Sequence, residues 1–396
     1  MTQSRDNVWL NRFAYALAGA TLFLLALGGV VTTKGVGMAV PDWPTTYGDH
    51  MFLFPPSKWM AGVWDEHVHR LWASLVGLLT AVLAIWVWAR DTKGIARWIG
   101  VVGMVAALGL MGVRTPMMFV GMAVVCLVVI FFAAVRAITD SASRLRWLTL
   151  IAFAAVIIQG VLGGLRVLLD DNGWGTELGI FHAALAQLFL LLVGSIVLLT
   201  SKWWGHASQA LAGLSSLRRV VLVTTSLIFI QLIFGATMRH QHAGLAVPDL
   251  PFAYGKLWPA IDPASVATYN QQRLEASGEQ PITAAHVVVH MLHRYTAIMI
   301  AALIIVSAAM AFRLAPTGAL VRRFAAAWVV LVLLQVTLGI LTITSDRKVD
   351  VTTAHVAVGA LTFLVGWLSF LVSSRASVQS QAVAENGLLS SELKHA

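Results

Sequence analysis

The chain has 396 residues, of which 58% are hydrophobic and 11% charged, with a mean hydropathy of +0.80. That composition excludes an ordinary soluble domain and fits an all-α polytopic membrane protein. The net charge of +9 follows the placement of Lys and Arg between apolar runs, so it reads as a topology signal and nucleic acid is not an expected partner.

A membrane span needs about 20 mostly apolar residues. Runs of that kind centre on 12–33, 67–89, 97–113, 117–137, 146–168, 179–200, 218–238, 286–312, 324–345 and 353–374, which predicts about ten helices in the lipid bilayer. The first run is long and no small-residue cleavage site closes it, so no cleavable signal peptide is expected. Alternate connections hold most of the 27 Lys and Arg residues. By the positive-inside bias both termini are then cytoplasmic, in a bacterial-type cytoplasmic membrane. The single cysteine, Cys126, lies within a predicted span, which rules out an intramolecular disulfide or a thiolate cluster.

The chain repeats itself. Leu27 to Gly48, LGGVVTTKGVGMAVPDWPTTYG, matches Phe234 to Gly255, FGATMRHQHAGLAVPDLPFAYG, with Gly28, Gly37, Pro41, Asp42, Pro44, Tyr47 and Gly48 recurring at a constant offset of 207. Glu66-His67-Val68-His69-Arg70 answers to His290-Met291-Leu292-His293-Arg294 at an offset of 224, and the Gln159 to Gly163 segment to Gln335 to Gly339 at 176. The fall in offset assigns the excess of the first half to the hairpin 97–137. Without it each half is four helices, and an even insertion leaves both halves in one orientation. The expected architecture is two tandem pseudo-symmetric four-helix bundles, 1–205 and 206–396, with a transmembrane hairpin inserted at 97–137.

Each half then offers one histidine on its second helix, His69 or His293, and one on its fourth, His182 or His355. All four helices run from outside to inside and carry the residue within the first turns, so the four lie at one level near the outer face. A pair of this kind can supply both axial ligands to a haem iron. Zinc is a poorer match, because a third ligand and an HExxH pattern are missing. The remaining histidines, His50, His67, His206, His240, His242, His286 and His395, lack repeat support and are expected to be solvated or interfacial. Arg70 and Arg294 either snorkel to the interface or pair with haem propionates.

One difference between the halves stands out. Glu66 precedes His69 by three residues on the same helical face, whereas the second half has His290 there. Glu66 is either a proton-moving acid or a carboxylate favoured by the helix N-terminus.

With Glu66-x-x-His69-Arg70, the Pro41-Asp42-Trp43-Pro44 loop, Gln159-Gly160-x-Leu162-Gly163-Gly164, His182, His293-Arg294 and His355 in this order, the chain resembles the haem A synthases over nearly its whole length. The resemblance implies that the first bundle binds the substrate haem O between His69 and His182, with Arg70 nearby and Glu66 essential to chemistry. It implies a haem b between His293 and His355, with Arg294 beside it. The implied reaction oxidises the C8 methyl of haem O to a formyl group through an alcohol, giving haem A for cytochrome oxidase. Implied partners are a haem O synthase as supplier, cytochrome oxidase assembly factors and an unidentified electron donor or acceptor, and a homo-oligomer is compatible with all of this. Many relatives carry a cysteine pair in the first outer loop. This chain has none there, and the hairpin lies outside the usual eight-helix pattern.

Two other classes compete with this reading. A bis-histidine b-type cytochrome that only transfers electrons would need no acid in one bundle alone. A parallel-repeat transporter would show broken helices or mid-membrane charge in the two halves, and neither is evident.

Overall fold

Inside a bilayer the backbone finds no water, so each crossing segment satisfies its own hydrogen bonds as a helix. A computed structural model describes residues 7–137, 144–206, 214–277 and 281–395, which form helices and no sheet. In chain order the α-helices are α1 (Val8–Thr33), α2 (Gly62–Asp91), α3 (Gly94–Leu108), α4 (Pro116–Arg136), α5 (Arg144–Leu168), α6 (Gly175–Thr200), α7 (Lys202–His206), α8 (Leu214–His240), α9 (Pro263–Ser277), α10 (Ala284–Leu314), α11 (Leu320–Thr344) and α12 (Val349–His395). Among the described residues ten of these are long and apolar enough to cross a membrane, α3 extending to Gly112 through a 3-10 turn and α12 crossing over Val349–Arg375. The spans agree with the sequence expectation to within a few residues. Most helices start earlier than the apolar run, since a polar first turn such as Gly62 to Glu66 still fits a helix end, and Asp65 there is favoured by the positive N-terminal dipole.

Helices α1, α2, α5 and α6 contact one another in a ring, and α8, α10, α11 and α12 form a second. The rings meet where α1 and α6 pack on α12 and α6 packs on α8. Lipid is as apolar as leucine, so close packing rather than water exclusion drives such contacts. Glycine supplies the close approach: the space beside Gly194 is filled by Leu364 across the two rings, and that beside Gly366 by Trp328. Trp367 Nε1 donates to Ser195 Oγ at 2.8 Å across the same boundary.

The helical hairpin of α3 and α4 packs outside the first ring, α3 on α2 and α4 on α5. Trp88 of α2 is buried against Gly100 and donates through Nε1 to the carbonyls of Ala96 and Arg97 at 3.3 and 3.2 Å. Arg146 of α5, also buried, donates to the Asp91 carbonyl at 3.2 Å and the Ala137 carbonyl at 3.1 Å. One guanidinium therefore holds the entry and the exit of the hairpin side by side.

The long connections 34–61 and 241–283 lead directly into α2 and α10. The second contains α9, which the sequence reading did not anticipate and which accounts for the rise in repeat offset from 207 to 224. Tyr269 of α9 stacks on Tyr254 of the loop, ring centres 3.6 Å apart, and Asn270 exchanges two hydrogen bonds with the Ile282 backbone.

Candidate functional site

The duplicated loops fold alike. Asp42 accepts hydrogen bonds from the Tyr47 and Gly48 N–H groups at 2.7 and 2.9 Å and from Thr45 Oγ1 at 2.5 Å. Asp249 accepts from Tyr254 and Gly255 N–H at 2.9 and 3.1 Å. Burial pushes the Asp42 carboxyl upward, but the bonds from Gly48, Thr45 and Tyr47 and the charge of Arg70 outweigh it and hold the group below its ordinary value. Tyr47 and Tyr254 each donate their hydroxyl to the carbonyl of Ala39 or Ala246.

Arg70 and Arg294 clasp these loops onto the helices. Arg70 donates to the carbonyls of Val40, Asp42 and Thr45 at 2.8, 2.7 and 3.1 Å. Arg294 donates to the carbonyls of Val247 and Phe252 at 2.8 and 3.1 Å, the repeat counterparts of Val40 and Thr45. The sequence left each of them either to snorkel or to meet haem propionates; in the fold their terminal nitrogens are engaged by loop carbonyls. This explains why the loop motif and the His-Arg pair recur together.

The four repeated histidines share a second pattern. A Cβ added to Gly28 of α1 would lie 3.3 Å from His69 Cε1, one on Gly163 of α5 3.0 Å from His182 Cε1, one on Gly235 of α8 3.5 Å from His293 Cε1, and one on Gly339 of α11 3.2 Å from His355 Cε1. Each imidazole therefore rests against a glycine of the preceding transmembrane helix. Four residues before three of these glycines stands a glutamine. Gln159 and Gln231 donate to the carbonyls of His182 and His293, each at 2.8 Å, and Gln335 Nε2 lies 3.4 Å from His355 Nε2. The fourth position, four before Gly28, is Leu24.

Nδ1 of all four histidines is buried and, among the described residues, has no hydrogen-bond partner and no carboxylate pairs with any of them. Imidazoles with a nitrogen left unpaired suit metal ligation. His293 and His355 have ring centres 6.5 Å apart with planes at 57°. Two metal–nitrogen bonds of about 2 Å, plus roughly 1 Å from each nitrogen to its ring centre, span about 6 Å, so this pair fits an iron between them. No group of three or more His, Cys, Asp or Glu converges among the described residues.

In the first ring His69 and His182 line a cavity of about 320 Å³ with Glu66 and Arg70. Glu66 is buried; Oε2 accepts from the Val40 N–H at 2.8 Å and Oε1 from Arg70 Nη2 at 2.6 Å. Its carboxylate thus joins the cavity wall to the loop clasp. Neighbouring Asp65 points elsewhere and pairs with Lys34 at 2.9 Å.

Two histidines depart from expectation. His67 is buried rather than solvated: it packs against Trp59 and Phe54, ring centres 4.7 and 5.2 Å away, with Nδ1 3.2 Å from Thr46 Oγ1. The loop folds back over the start of α2 and covers it. His240 lies against Gly179 and lines the cavity. The side chains of His206 and His395 lie outside the described residues. Two arginines that the sequence reading passed over, Arg166 of α5 and Arg239 of α8, also line the cavity. The signal for them was available, since their repeat counterparts are Thr342 and Thr32.

A family profile described as cytochrome oxidase assembly protein (COX15-CtaA) matches residues 114–366, well over half of the chain. The chain belongs to that family. Within this member of the cytochrome oxidase assembly proteins the matched region contains His182, His293 and His355, whereas Glu66 and His69 precede it. A protein named heme A synthase from Geobacillus kaustophilus is 24% identical over 243 residues, 61% of this chain and 60% of that relative. The match therefore spans less than two thirds of the relative's length. Proteins of the same name from Shouchella clausii and Brucella ovis are 34% and 30% identical over 82 and 118 residues. These cover 20% and 28% of this chain and 26% and 33% of the relatives.

Proposed function

We propose that the protein is a haem A synthase, an oxidoreductase that converts the C8 methyl of haem O to a formyl group for cytochrome oxidase assembly. The observation that carries this reading is the twofold occurrence of a glycine-backed histidine pair, with His293 and His355 spaced for an iron, in a chain of this family. The two helical rings are read as tandem repeats, 1–205 for substrate and 206–396 for a resident haem b, with the hairpin inserted into the first. Both termini face the cytoplasm and the loops 34–61 and 241–283 the outer side.

A haem b held between His293 and His355 would supply one-electron redox chemistry. The chain's own residues do the rest. His69 and His182 fix the height and tilt of the substrate porphyrin, and the glycines behind them allow the rings to stand between helices. The apolar part of the cavity wall accommodates the porphyrin's apolar body. Glu66, the one acid at the cavity without a counterpart in the second half, holds or moves a proton at its carboxylate. Arg70 and Arg294 keep the loops closed over the ends of the two sites. A haem O synthase is the supplier, and a redox partner exchanges electrons from the membrane or the outer side.

The decisive experiment is co-expression with a haem O synthase in a host lacking haem A, followed by chromatography of extracted haems. Haem A should accumulate. Haem O alone, with a haem-loaded protein, would leave an electron-transfer cytochrome instead.

A further inference from the structure

Arg166 and Arg239 line the His69–His182 cavity, yet neither forms an ion pair among the described residues. Arg166 makes no hydrogen bond there, and its Nε is buried without a partner. Among the described residues Arg239 makes one hydrogen bond, from Nη1 to Thr32 Oγ1 at 3.3 Å. Glu66 faces the same cavity, but its hydrogen bonds go to the Val40 N–H and to Arg70 and not to either of these arginines. Cations on membrane helices without a directly hydrogen-bonded anion are expensive and point to a ligand.

Their placement is specific. Arg166 follows Gly163 by three residues and Arg239 follows Gly235 by four, so each stands about one helical turn, roughly 5 Å, from the level of the histidines. Both are displaced towards the end where the duplicated loops lie. The guanidinium of Arg166 rests against Gly37, where an added Cβ would be 2.9 Å from Nη2. Both counterparts in the repeat are threonines, Thr342 and Thr32, so the added charges are not general scaffolding. The two come from different halves and converge on one cavity. The ligand they suit has a broad apolar body and two carboxylates at one edge. Guanidinium is the group that meets carboxylate in a planar, two-point contact.

Resting on the reading that this cavity takes a haem, we propose that Arg166 and Arg239 bind the two propionate carboxylates of the substrate porphyrin, with Arg239 supplied by the second half to a site whose iron ligands belong to the first. Arg70, whose terminal nitrogens hold the loop, is then the clasp and not the carboxylate partner.

The test is equilibrium binding of ferric protoporphyrin and of its dimethyl ester to purified protein already carrying haem in the second half. A His69→Ala variant defines the signal that belongs to the first site. Wild type should bind the free acid at least 10-fold more tightly than the ester. Arg166→Met and Arg239→Met should each weaken the acid roughly 30-fold or more and leave the ester nearly unchanged, in the range seen when one partner of a buried charge pair is removed. The Lys variants should recover part of the loss. The spectrum of the second-half haem reports folding, and the acid-to-ester ratio in wild type needs no variant. Equal binding of acid and ester by wild type, or an equal loss of both in the Met variants, would overturn the clamp. If neither compound gives a His69-dependent signal, the haem reading of the cavity falls and the clamp with it.

Discussion

Gly163 and His182 touch across two helices: a Cβ on the glycine would lie 3.0 Å from the imidazole Cε1. A Cβ there would sit closer than ordinary van der Waals packing allows, so a side chain at this position would displace the ring. The same relation holds for Gly339 and His355 at 3.2 Å and is relaxed for Gly235 and His293 at 3.5 Å. Gly163→Val should move His182 and weaken porphyrin binding in the first site by about 10–100-fold, the usual effect of disturbing a ligand's supports. Gly339→Val should do the same to the second site and leave the first intact. Haem titration of each variant checks the selectivity, and Gly235→Ala should be close to silent.

His293→Ala or His355→Ala should remove most of the low-spin b-type absorbance from purified protein, because either change leaves one axial position open. A full low-spin spectrum in both variants would refute the assignment.

Glu66→Gln keeps the size of the side chain and removes its acid. Haem in the second half should be retained, while haem O or the alcohol accumulates and turnover falls by about 100-fold or more. Asp65→Asn breaks only the exposed pair with Lys34 and serves as the control. Normal haem A production by Glu66→Gln would reduce Glu66 to a loop anchor.

Asp42 gives a pH dependence with a defined sign. Its carboxyl is held below its ordinary value of 3.8 in the folded protein. The stabilisation it gives is thus fully present above that value and is lost as pH falls through the lowered folded value. Asp42→Asn should reduce thermal stability at pH 7, on the order of 1 kcal/mol for bonds to a charged acceptor, and the gap should begin to narrow below about pH 4 and close only as pH falls through the lowered folded value. A gap that persists at low pH would mean that the loss comes from packing.

Membrane orientation is open to thiol labelling. With Cys126 changed to Ser, single cysteines at the exposed positions Lys93 and Lys202 should resist an impermeant reagent in intact cells, and one at Lys58 should react. Reaction at Lys93 would reverse the orientation of α2.

The sequence carried the helices and the four histidines because hydropathy and duplication are both patterns that repeat. Gln231 and Gln335 follow the same logic, and Leu24 is visible as the exception. His67 was misjudged because burial there comes from the return of residues 54–59 over α2, a long-range contact that no periodicity encodes. Arg70 was legible as a repeated cation but its role was not, since carbonyls of a loop leave no mark in side-chain identity. Arg166 and Arg239 were visible as unrepeated cations, but their convergence was not. They are the residues that the repeat fails to repeat, and only the packing of α5 against α6 and of α6 against α8 brings them to one cavity.

The wall of the first cavity includes Arg239 and His240 from α8 and Val356 from α12. During synthesis, a nascent chain that has delivered only α1 to α6 to the membrane already contains His69 and His182 but lacks that side of the chamber. The cavity is therefore closed last, by the far end of the polypeptide, and a truncated product retains His69 and His182 without the enclosure around them.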